Sequence, residues 1–87
     1  MALDTDAPGA ALIELLRCPE SGQRVALAPP AIIAELEQLR QQGKLRTRAG
    51  EVDHEPIVAG LLREDGAVLF PIKHGIPILL IEESFAL

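Results

Sequence analysis

The chain has 87 residues, a formal net charge of −5 and two aromatic side chains, Phe70 and Phe85. That length holds one small domain near the limit at which a core can be buried, and the core must come from Leu, Ile, Val and Ala. The acidic balance argues against direct gripping of a nucleic-acid phosphate backbone, the single Cys18 rules out an internal disulfide, and no apolar run is long enough to span a bilayer.

Residues 1–7 read as a flexible lead. Met1 to Asp6 has neither the basic region nor the apolar run of a secretory signal, so a cytoplasmic location is expected. Thr5 or Asp6 caps a first helix with Pro8 in its first turn. Ala11, Leu12, Leu15 and Leu16 form its apolar stripe, and Pro19 ends it by forcing the preceding residue out of helical space. Ser21-Gly22 is a turn, and Arg24 to Leu27 reads as a short strand.

Pro29-Pro30 opens a helical segment over 29–44, with the helix itself from about Ala31 to Gln42. Ile32, Ile33, Leu36 and Leu39 share its apolar face, read as core rather than docking surface, and Gly43 closes it. Lys44-Leu45-Arg46-Thr47-Arg48 alternates, so its three cations would share one side of an extended strand. The simplest reading is a solvated face. The sharper one is contact with an acidic partner surface or with nucleic acid held by a partner enzyme. An acidic loop follows to Pro56. Ile57 to Leu62 is an apolar strand weakened by Gly60, Asp65-Gly66 is a hairpin turn, and Ala67 to Ile72 returns.

The chain closes on Phe70-Pro71-Ile72-Lys73-His74-Gly75-Ile76-Pro77-Ile78-Leu79-Leu80-Ile81. This reads as a strand, a tight glycine turn and a second strand running to Ile81. Pro77 has no N–H for a ladder and belongs at a strand start or on an edge. Ile76, Ile78 and Leu80 would lie on one face, Pro77, Leu79 and Ile81 on the other, and two helices cannot cover both. An uncovered apolar edge calls for a partner, either a second copy of the chain or the sheet of another protein.

Catalytic signals are weak. Cys18 with His54 or His74 as base and Asp53 as orienting group would be a nucleophilic set, but a lone cysteine before proline reads first as a small buried hydrophobe. Asp53-His54-Glu55 are adjacent on an extended segment and do not converge on one ion, so they read as a solvated loop. His74 reads as an exposed turn residue. No phosphate loop, carboxylate pair or nucleophile elbow is present in the sequence.

Leu15-Leu16-Arg17-Cys18-Pro19, Asp65-Gly66 and the closing Phe70-Pro71-Ile72-Lys73-His74-Gly75-Ile76-Pro77-Ile78-Leu79-Leu80 together resemble the small zinc-ribbon-like activator subunits of methyltransferases and their short bacterial relatives. Those subunits serve methyltransferases acting on tRNA, ribosomal RNA and release factor. Zinc-binding members hold one metal with two Cys-x-x-Cys knuckles, which supply four ligands to a tetrahedral ion. Here the corresponding positions are Cys18-Pro19-Glu20-Ser21 and Arg63-Glu64-Asp65-Gly66, leaving one thiolate of four, so no metal and no cofactor is expected. The middle helix falls where longer members carry an insertion.

The expected fold is therefore α+β: one domain over 1–87, with two helices on a small, mostly antiparallel sheet of three to four strands around a degenerate zinc-ribbon-like core. The resemblance implies a non-catalytic subunit that binds and stabilises a methyltransferase through Phe70, Ile76, Pro77, Ile78, Leu79 and Ile81. The alternative is an autonomous domain, such as a homodimer, without that partner. Neither direct nucleic-acid binding nor membrane association is expected.

Overall fold

A computed structural model of the chain describes residues 10–87. In chain order the elements are α1 (Ala10–Leu15), β1 (Val25–Leu27), α2 (Pro30–Gln41), β2 (Gly60–Arg63), β3 (Val68–Lys73), β4 (Ile76–Pro77), a 3-10 turn (Ile81–Glu83) and β5 (Phe85–Ala86). This is an α+β fold with two helices and an antiparallel sheet of five strands. The expected lead and the expected cap of the first helix lie outside the described residues.

β3 is the centre of the sheet. β2 pairs along one side of it, with Leu61 opposite Phe70, and β1 pairs outside β2. On the other side β3 is shared: Val68 and Leu69 pair with β5, whereas Ile72 and Lys73 pair with β4. Pro71 lies just beyond the β4 pairing, and its missing N–H cannot return a bond to Ile78, so the ladder ends there. Its carbonyl accepts the Ile78 N–H at 2.9 Å.

Alternate residues of β3 enter different cores, as the pleat requires. Val68, Phe70 and Ile72 join Ile13, Cys18, Val25 and Leu61 on one face. Leu69 joins Leu36, Leu45, Ile57 and Phe85 on the other. α2 covers the second face with Leu36, Ile32 and Ile33, and α1 covers the first with Ile13, followed by Leu16 just past its end. A six-residue strand buried on both sides explains why Val68 to Ile72 reads as a nearly unbroken apolar run.

Local chemistry sets the ends of the elements. α2 starts with Pro30 at its first position, where no N–H is needed. It ends at Gly43, whose φ of +71° allows Gly43 N–H to reach Arg40 O and Lys44 N–H to reach Leu39 O, a Schellman closure. His74 and Gly75 take φ of +54° and +75°, the two left-handed residues of a tight hairpin turn joining β3 to β4.

Four expectations change. The first helix turns a different face inward: Ile13 is buried against the sheet while Leu12 and Leu15 are exposed. Lys44 to Arg48 is not a strand but one arm of a tight loop, held by the Arg46–Val52 bridge and by Thr47 N–H to Glu51 O. The closing strand stops at Pro77, after which the chain leaves the ladder and enters the 3-10 turn. Phe85-Ala86 adds a fifth strand where none was expected.

Candidate partner surface

The closing segment divides its apolar side chains between the core and the surface. Phe70 is 0% exposed at the middle of β3, so its ring belongs to the first core and presents nothing to a partner. This corrects its place among the expected contact residues. Leu79 and Ile81 are half-buried and pack against that same core, which gives two of the residues expected to lack a home a place within the chain. Pro77 and Ile78 are half-buried. Ile76 is 61% exposed and Leu80 49% exposed. Leu80 was not among the expected contacts; the break after Pro77 is what turns it outward.

α1 lies over the same face of the sheet as Leu79 and Ile81. It presents Leu15 at 78% exposure and Leu12 to solvent. Sequence periodicity assigned both to the core. Uncovered apolar side chains thus occur on both segments that roof the first core.

Beneath that roof the turns at Cys18–Gln23 and Arg63–Gly66 are clasped together. In the first turn Cys18 N–H donates to Gln23 O and Gly22 N–H to Cys18 O, each at 2.8 Å. In the second, Gly66 N–H donates to Arg63 O at 2.7 Å. The Arg63 guanidinium joins them. It donates to both Asp65 oxygens at 2.9 and 2.8 Å, to Glu20 Oε1 at 3.1 Å and to Cys18 Sγ at 3.8 Å. Arg48 adds a two-pronged pair to Glu20 at 2.6 and 2.8 Å.

The electrostatics follow from that geometry. The Arg63 guanidinium, helped by the Ala67 N–H, lowers the Asp65 carboxyl to about 2. Arg48 and then Arg63 hold Glu20 below the usual carboxylate range. Burial pushes the Cys18 thiol up, but hydrogen bonds from Ser21, the Glu20 backbone and Arg63 outweigh it and leave the thiol below its ordinary value. These residues do not fit tetrahedral zinc: they offer one thiolate, and a guanidinium lies against its sulfur.

No described histidine is among the hydrogen-bond partners of Cys18. Asp53, His54 and Glu55 do not act as a set. Asp53 is buried, pairs with Lys73 at 3.2 Å and accepts the Glu55 N–H, while His54 is exposed. His74 is an exposed turn residue. The three cations expected on one strand face separate: Arg48 turns to Glu20, Arg46 donates to Gly50 O, and Lys44 has no ion pair among the described residues. Among the described residues no helix is long and apolar enough to cross a membrane.

Comparison with known proteins gives a fold and no family. No family model and no curated protein matches the chain. The chain is similar to the solution NMR structure of XF2673 from Xylella fastidiosa, with 26% identity over 87% of this chain and 78% of that one, and a TM-score of 0.72. That agreement supports the α+β fold described above.

Proposed function

We propose that the chain is a non-catalytic subunit that binds and stabilises a methyltransferase through the apolar surface formed by the end of the sheet. The observation that carries the reading is the exposure of Ile76 and Leu80 on a segment where Pro77 has ended the ladder. Leu79 and Ile81 anchor the segment from below, so the surface is held in shape before any partner arrives. Leu12 and Leu15 of α1 are exposed separately, above the face of the sheet that carries the first core. The resemblance of the closing motif to methyltransferase activators supplies the class of partner.

The mechanism is mass action. A subunit that binds only the folded enzyme stabilises it by RT times the logarithm of one plus the subunit concentration over Kd, which lowers the unfolded and aggregated populations. S-adenosylmethionine then belongs to the enzyme, and this chain needs neither nucleophile nor cofactor. The test is to express the methyltransferases of the source organism one at a time, alone and with this chain. At least one is expected to gain soluble yield and activity only when the chain is present. If every one is equally soluble and active without it, the reading fails, and a homodimer closing over Ile76 and Leu80 becomes the account of the surface.

A further inference from the structure

We infer that the groove between α2 and β5 is a binding site for a small monocarboxylate with an apolar body. The groove has a volume of about 460 Å³ and is walled by Leu36, Leu39, Leu45 and Phe85, with Lys44 and Arg46 also lining it. Small-molecule sites have this size and this make-up, an apolar body with few polar groups that fix orientation. Leu39, on the apolar face of α2, is nevertheless 40% exposed, which leaves its side chain open to a ligand.

Charge selects the ligand class. In a chain of net charge −5, two cations beside one apolar groove are an exception to the general field. They are not consumed by neighbours. Arg48, the third cation of the run, is tied to Glu20, whereas Lys44 has no ion pair among the described residues and Arg46 spends one N–H on Gly50 O. Lys44 and Arg46 can therefore hold a carboxylate by charge-assisted hydrogen bonds. Glu35 also lines the groove, so the groove's charged side chains, Lys44, Arg46 and Glu35, carry a net charge of one positive unit, which matches one carboxylate rather than two. The groove of about 450 Å³ beside Leu27 and Val58 lacks this feature. Its charged residue is Glu37, already bound to Arg40 and to the Ile57 N–H.

The proposal is independent of the methyltransferase reading and is tested on the chain alone. Sodium octanoate, kept below its micellar concentration, is titrated into the 15N-labelled full chain. Saturable shifts are expected at Leu36, Leu39, Lys44 to Arg46 and Phe85, with octylammonium binding at least tenfold more weakly, the loss expected when charge-assisted hydrogen bonds are replaced by repulsion. Lys44→Glu with Arg46→Glu should reverse that preference, and Lys44→Gln with Arg46→Gln should abolish it if the reversed pair does not fold. Shifts that never saturate, shifts spread over the whole surface, or equal binding of octanoate and octylammonium would overturn the proposal.

Discussion

Arg63 has the widest reach of any single residue, because its guanidinium ties two turns distant in sequence at Glu20 and Asp65. Replacing it with Met keeps the stem and removes the charge. The expected result is a lower Tm, with the difference from the wild type shrinking as salt is added, since ion pairs with partly exposed partners are screened. The same residue sets the acid response. Asp65 sits at about 2 against its ordinary 3.8, so the folded form holds its proton less tightly than the unfolded chain. The stability this contributes is fully present above about 4, declines as pH falls through that window, and is gone below about 2. Glu20 acts in the same direction. Urea melts between those limits should show the loss in the wild type and a flatter response in Arg63→Met.

At the scale of elements, the β2–β3 pair depends on a residue that looks like a defect in the sequence. Gly60 reads as a weak point in an apolar strand, yet a Cβ there would lie 2.7 Å from Leu69 Cδ2 and 3.0 Å from its Cγ. Leu69 is fully buried and has nowhere to retreat. Gly60→Ala is expected to cost about 1–3 kcal/mol by overpacking, and most of that cost should vanish in a Leu69→Ala background. Chemical denaturation of the four variants in this cycle measures the coupling directly. A cost unchanged by Leu69→Ala would show that the glycine is needed for some other reason.

The same scale shows what was legible in the sequence. The bounds of α2, the Asp65-Gly66 hairpin and the His74-Gly75 turn were readable because capping, proline and glycine act within a few residues. The closing segment was not. An apolar run from Ile76 to Ile81 looks like a strand, and nothing local says that β5 takes the Val68–Leu69 end of the same edge of β3 and leaves Leu79 and Leu80 without a ladder. α1 misled because its periodicity does not say which of its apolar side chains meets the sheet, and Ile13 does. The role of Arg63 was hidden altogether. The knuckle alignment implied that residues 18 and 63 are neighbours, but an arginine at a ligand position gave no sign that it would bind Glu20 and Asp65.

For the molecule as a whole, the sheet carries a core on each face, and the two cores use most of the large apolar residues. Phe70 and Ile76 mark the division of labour. Phe70→Ala should destabilise the fold by about 3–5 kcal/mol, as removal of a fully buried ring does. Ile76→Glu with Leu80→Glu should leave Tm nearly unchanged, because both side chains already face water. The most direct test of the central claim is a native copurification of the tagged chain from its own cell extract, run beside that double variant. The account predicts a methyltransferase recovered near one-to-one with the wild type and absent with the variant. A methyltransferase retained by the variant, or a wild-type chain that elutes alone, would contradict it.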